Sequence, residues 1–220
     1  MQGNNVKERI MPGAVIVGSG PGIGRSVAAR FAREGLAVGL LSRSGSALGL
    51  DGVRTYRADC GDEGQLRAAL DAATGALGTP DVVVYNAAII RPDTLGAVDA
   101  RAQLDAWAVN VVGAMVTASH VVPAMARRGG GTFIVTGGMP EPKAAYVSLS
   151  LGKVGVRALV AMVDEEYGAA GVHAASVTVA GVVAPGTAFD PDDIAEHYWR
   201  LHTQPREGWE REVVHTGGGR

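Results

Sequence analysis

The sequence predicts an α/β domain: a doubly wound parallel sheet with helices on both faces, three layers in all. Three observations carry this reading. Short apolar runs alternate with longer helical patterns along the whole chain, as the crossover units of a parallel sheet do. The runs end at glycines and are apolar throughout, as buried strands are. The 220 residues hold 47% hydrophobic side chains and 32 glycines, enough for one sizeable core with helices packed tightly on the sheet.

Ala14–Val17 is the first strand, stopping at glycines. Ile23–Glu34 has helical spacing, with Val27, Phe31 and neighbouring alanines on one side, and ends at Gly35. Ala37–Leu41 and Val53–Arg57 read as the second and third strands, Gln65–Ala73 as a helix and Val82–Tyr85 as the fourth strand. A long helix around Leu104–Arg127 precedes strand Thr132–Thr136. A second long helix near Ala145–Tyr167 precedes strand Ala174–Val179, and a helix around Pro191–Leu201 closes the pattern. No linker or repeat divides the chain, so residues 1–220 are expected to form one domain. Met1–Met11 is expected to be a flexible arm, and residues 211–220, ending in Gly217-Gly218-Gly219-Arg220, a mobile tail. Ligands of such sheets bind beyond the carboxyl ends of the strands, so the loops after Val17, Leu41, Tyr85, Thr136 and Val179 should meet in one crevice.

Composition narrows the function classes. A net charge of −2 gives no reason to expect nucleic acid or an anionic membrane as partner. Cys60 is the single cysteine, so neither an intramolecular disulfide nor a cysteine-rich metal site can form. His120, His173, His197, His202 and His215 are scattered without ligand spacing, and no metal is expected. The first residues lack an apolar signal core, which points to a cytoplasmic protein. Trp107–Ala126 carries no charged residue and is long enough to cross a bilayer. It also holds Asn110, Ser119, His120 and Pro123, costly in lipid, so a buried helix at a subunit interface is expected. Apolar surface along Val111–Met125 and Val154–Met162 points to a homodimer or homotetramer.

The chemistry begins at Gly18-Ser19-Gly20-Pro21-Gly22-Ile23-Gly24, between the first strand and the first helix. Glycines spaced this way permit a tight turn, close backbone approach to a pyrophosphate and close helix–strand packing, while the helix N-terminus offers unpaired amides. This is the dinucleotide-binding arrangement of a Rossmann fold. With it come Asp59-Cys60 after the third strand, Asn86-Ala87-Ala88 after the fourth, Asn110 in the first long helix, and Lys153 followed by Val154-Gly155-Val156-Arg157 in the second. On these residues the chain resembles the short-chain dehydrogenase/reductase family over nearly its whole length. Val17 stands in place of the motif's threonine, and Ala88 in place of a glycine.

The resemblance implies a nicotinamide cofactor held by Gly18, Ser19, Gly20, Gly22, Ile23, Gly24, Ser42, Arg43, Asp59, Cys60, Asn86, Ala87, Ala88 and Lys153. After the sixth strand the family's Pro-Gly position falls on Ala180-Gly181 when counted from Gly171, placing Gly181, Val182 and Val183 at the nicotinamide; by identity it falls on Pro185-Gly186. The ordinary strand length favours Gly181. NAD-preferring relatives carry an acid at the end of the second strand, and this chain has Ser42-Arg43 there. A guanidinium pairs well with a phosphate, Arg25 is placed to help, and NADP(H) is expected over NAD(H).

The family's catalytic tyrosine and lysine sit one helical turn apart, and a serine on the preceding loop polarises the same substrate oxygen. With Lys153 as the lysine, Leu149 occupies the tyrosine position and Gly138 the serine position. Lys153 and Asn110 remain as catalytic candidates, with Tyr146 and Thr136 as alternative hydroxyls. Tyr146 precedes Lys153 by seven residues, ~10 Å along a helix against ~6 Å for the family spacing. Its use would require an irregular helix start. The stretch between the sixth strand and the last helix is short, so the substrate lid is largely absent. The expected activity is NADP(H)-dependent oxidoreduction of a small carbonyl or alcohol substrate at a divergent site. A non-catalytic NADP-binding sensor, and a lyase or isomerase on the same fold, stand as alternatives.

Overall fold

The computed structural model describes residues 13–218. Its strands are β1 (Gly13–Val17), β2 (Ala37–Ser42), β3 (Arg54–Arg57), β4 (Val82–Tyr85), β5 (Gly131–Gly138), β6 (Val172–Val179) and β7 (Glu212–His215). They form one sheet in the order β3-β2-β1-β4-β5-β6-β7, and every neighbouring pair is parallel. The helices are α1 (Ile23–Arg33), α2 (Glu63–Leu77), α3 (Ala100–Trp107), α4 (Gly113–Arg128), α5 (Val147–Tyr167) and α6 (Pro191–Thr203).

Alternation along each strand sorts the core into two layers. Ile16, Leu40, Val84, Ile134 and Val177 face α1 and α6, where Val27, Phe31, Ile194 and Tyr198 close the packing. Val15, Leu41, Val83, Phe133 and Val135 face α2, α4 and α5. Strand order reverses between β1 and β4, so their carboxyl ends part and open a crevice at the switch point.

Helix bounds depart from the sequence reading where capping decides them. Asp62 accepts a hydrogen bond from the Gln65 amide and starts α2 at Glu63. Asp99 accepts from Ala102 and starts α3 at Ala100, ahead of the expected Leu104. A π-helical turn, Ala108–Val112, joins α3 to α4 without a break. The joined helix is long and apolar enough to cross a membrane by length and composition. Half of its most apolar window is nevertheless buried, with Ala114, Val121, Val122 and Met125 in the core.

The tail expectation is corrected for residues 212–215, which form β7 on the free edge of β6. Two features fix it: Val213 is buried against the α1/α6 layer, and His173 reaches the Leu201 and Glu210 carbonyls while stacking on Trp209 at 4.7 Å. Met1–Met11 and the terminal Gly219-Arg220 lie outside the described residues.

Candidate active site

The loops after β1, β2, β3, β4, β5 and β6 line a single crevice of about 1230 Å³. In the glycine loop two kinds of glycine are present. Gly18 has φ +81, and a Cβ on it would overlap the Ala87 backbone; a Cβ on Gly24 would lie 2.9 Å from the Ser19 Cα. Packing alone demands these two. Gly20 and Gly22 line the crevice, yet a Cβ on either would meet no protein atom within 4 Å. No packed neighbour requires glycine at either position, and the bare backbone leaves room for a ligand to lie against it. The first turn of α1 has no side-chain cap, leaving amides for a ligand or water. The loop therefore fits a pyrophosphate. It is braced by the Gly18 and Ser19 amides, which both donate to the Leu41 carbonyl.

At the end of β2, Ser42, Arg43 and Ser44 line the crevice, with Asp59 and Cys60 opposite at the end of β3. Arg43 is exposed, and its carbonyl accepts from Arg57 Nε at 3.1 Å. Arg25 does not line the crevice: its Nε donates to the Leu48 carbonyl at 3.1 Å, so it braces the loop after β2. Burial, with the neighbouring Asp59 charge, pushes the Cys60 thiol up to about 11, leaving it protonated and unreactive.

At the other end the crevice is lined by Thr136–Pro140, Lys143, Tyr146, Leu149, Lys153 and the run Val179–Val183. Lys153 is only 6% exposed and donates from Nζ to the Thr136 carbonyl at 2.6 Å. Burial, and to a lesser degree the Arg157 charge, push its ammonium down to about 8. Arg157 donates to the Gly138 and Met139 carbonyls, so α5 pins the loop after β5 with two cations. Leu149 is buried one turn before Lys153.

Two of the catalytic candidates are tied into hydrogen bonds within the protein. The Thr136 hydroxyl donates to Asn86 Oδ1 at 2.8 Å and meets the Tyr198 hydroxyl at 2.7 Å. With its proton on Asn86, it accepts from Tyr198, and Asn86 Nδ2 donates in turn to the Gly18 carbonyl at 2.9 Å. Thr136 is thus the middle of a buried chain from α6 to the glycine loop, and its proton is committed. Asn110 does not line the crevice. Its amide exchanges both hydrogen bonds with the main chain of Ile89, at 2.7 and 3.3 Å, and so holds the loop after β4.

Tyr146 lines the crevice, half-buried, from a non-helical residue (φ −144, ψ 56) just before α5. The helix does start irregularly, because Asp93 seizes its first residues. The Asp93 carboxylate accepts from the Ser148 amide and hydroxyl, and its carbonyl from the Val147 amide. These bonds hold the Asp93 carboxyl below the usual carboxylate range. Asp93→Ala is expected to lower the unfolding free energy by ~1 kcal/mol at pH 7, read in urea titrations. Because the folded carboxyl titrates below its unfolded value of ~3.9, the gap from wild type is complete above that pH. It closes as pH falls through the folded midpoint.

After β6, Ala180–Val183 line the crevice, while Pro185-Gly186 do not. A Cβ on Gly181 would overlap the Phe189 ring, so glycine is needed where this short segment folds back on itself. Ile90 (71% exposed) and Val182 (86%) are exposed residues of the crevice lining.

The family model for short chain dehydrogenases matches residues 13–193. The chain belongs to that family. It is 30% identical over 185 residues to a 2-dehydro-3-deoxy-L-rhamnonate dehydrogenase (NAD(+)) of a Sphingomonas species, covering 78% of this chain and 72% of that protein. Among solved structures it is similar to a metagenomic short-chain oxidoreductase in complex with NADP (TM-score 0.82, 22% identity, 93% and 96% of the two chains). It is equally similar to an alcohol dehydrogenase from Thermococcus sibiricus complexed with 5-hydroxy-NADP (TM-score 0.82, 21% identity, 94% and 98%). The family is one of oxidoreductases that use a nicotinamide cofactor, in accord with the glycine cradle.

The sequence reading missed Tyr198, Asp93 and Arg157. Each acts across the chain, at separations of 62, 55 and 19 residues from its partner, and no local pattern marks it.

Proposed function

We propose that this chain binds NADP(H) along the crevice and interconverts a small carbonyl compound and its alcohol. The observation that carries the cofactor choice is the end of β2, where Arg43, Ser42 and Ser44 line the crevice and no carboxylate is present to accept a ribose hydroxyl. Gly18–Gly24 would hold the pyrophosphate, Arg43 and Ser44 the 2′-phosphate, Asp59 and Cys60 the adenine edge, and Lys153 the nicotinamide ribose. When bound, the nicotinamide supplies or accepts hydride. The chain's own part is to hold that ring between Asn86–Ala88 and Gly181–Val183, and to exclude water with Leu149, Met139 and Val183. Two NADP-type complexes among similar structures accord with this choice; the NAD(+)-named relative marks the competing one.

Calorimetric titration with NADPH and NADH tests the reading. Arg43→Ala is expected to weaken NADPH about tenfold or more and leave NADH nearly unchanged, a loss of at least ~1.4 kcal/mol. Equal effects on both nucleotides would remove Arg43 from phosphate recognition. Leu104, Trp107, Met115, Leu151, Val154 and Met162 are exposed along α3, α4 and α5, and support association of copies through these helices. Light scattering is expected to return a dimer or tetramer.

A further inference from the structure

We infer that Lys153 Nζ itself gives the proton to the substrate oxygen during carbonyl reduction, standing in for the absent phenol. The inference rests on the carbonyl–alcohol reading above. Among the described residues lining this end of the crevice, four carry a proton to give: Thr136, Lys143, Tyr146 and Lys153. The Thr136 proton is committed to Asn86. Lys143 is exposed on the rim. Tyr146 lies outside α5, seven residues before Lys153, rather than one helical turn before it where a phenol would stand beside the ammonium.

Lys153 meets the requirements. It is buried at the floor, where Leu149 leaves no hydroxyl between it and the open crevice. A Cβ at Gly138 would lie 3.7 Å from its Cε, so glycine keeps the space beside the stem free. One ammonium proton is bonded to the Thr136 carbonyl, leaving one for the nicotinamide ribose and one for a substrate. Arg157 on α5 is the charge acting on it, Tyr198 on α6 is bonded to the Thr136 hydroxyl, and Lys143 and Tyr146, just before α5, are the other titratable groups lining this end of the crevice. Its lowered affinity for the proton, about 8, suits an acid working near neutrality.

The step balances. Hydride from reduced nicotinamide forms the new C–H bond, the C=O π pair moves onto oxygen, and a Lys153 N–H bond breaks as the O–H bond forms. The neutral amine left behind regains its proton from water. In alcohol oxidation the amine takes the proton, so reduction falls with rising pH through the Lys153 midpoint, and oxidation rises.

The sequence has three lysines, Lys7, Lys143 and Lys153, which makes the test direct. In protein labelled with ¹⁵N-lysine, NMR titration is expected to show one Nζ changing state near pH 8, absent from Lys153→Arg. In parallel, NADPH oxidation with butanal, benzaldehyde and diacetyl is followed against pH. The reduction rate should fall about tenfold per pH unit above the same midpoint. Lys153→Arg, whose guanidinium keeps its protons, should lose about 10²-fold or more at every pH when measured at saturating NADPH. A Lys153 that titrates like a surface lysine overturns the inference. So does turnover surviving in Lys153→Arg but lost in Tyr146→Phe, or a wild type that binds NADPH and reduces none of the three carbonyls. Failure of the wild type to bind NADPH fells the proposed function instead.

Discussion

Leu149→Tyr is expected to raise the rate of carbonyl reduction about a hundredfold at pH 7, the lower part of the range for a positioned general acid. Leu149 and Lys153 are separated by one helical turn and both line the crevice, so a phenol at position 149 would stand on the same face as the ammonium. The cation would lower the phenol's pKa and bring its proton within use. The larger side chain has the open crevice to enter, so stability should change by no more than about 1.5 kcal/mol. The pH profile discriminates further. If Lys153 is the acid of the natural chain, the tyrosine relieves it of that duty, and Leu149→Tyr/Lys153→Arg should recover part of what Lys153→Arg alone loses. No gain from Leu149→Tyr, with NADPH binding intact, would mean that position 149 does not face the reacting oxygen. The alignment of the site on Lys153 would then be wrong.

Much of this site was legible in the sequence because its determinants are local. The strand–glycine–helix order from Ala14 to Arg33 is continuous in sequence, and loops at one edge of a parallel sheet must converge. All the proposed cofactor-binding positions, from Gly18 to Val183, accordingly line one crevice. The expected replacements at Leu149 and Gly138 are equally local readings, the first from spacing to Lys153 and the second from the loop after the fifth strand. What the sequence did not disclose depends on partners far along the chain. That Thr136 has no free proton follows from Tyr198 and Asn86, and that Asn110 serves the main chain of Ile89 follows from the π-turn that orients it. The irregular start of α5 is imposed by Asp93, in a loop without regular structure. The strand β7 was hidden for another reason: four residues, one of them buried, carry too little hydrophobic pattern to stand out beside a glycine-rich end.

The glycine loop gives the sharpest division between folding and binding. Gly18→Ala is expected to destabilise the protein by about 3 kcal/mol, combining a left-handed backbone with overlap on Ala87. For a domain of this size that is a fall in Tm of roughly 10 °C, measured by scanning calorimetry. Gly20→Val should behave oppositely. A Cβ there meets no protein atom within 4 Å, so Tm should stay near wild type, within about 0.5 kcal/mol. The same side chain would occupy the place of the pyrophosphate, and NADPH affinity should fall at least about a hundredfold, ~2.7 kcal/mol. The pair separates two reasons for glycine that a motif cannot distinguish. Gly18 is kept small by Ala87, and Gly20, on the proposed function, by the pyrophosphate. Undiminished NADPH affinity in Gly20→Val would place the nucleotide elsewhere. A Gly18→Ala protein as stable as wild type would show that the loop can retreat from the β4 end without cost.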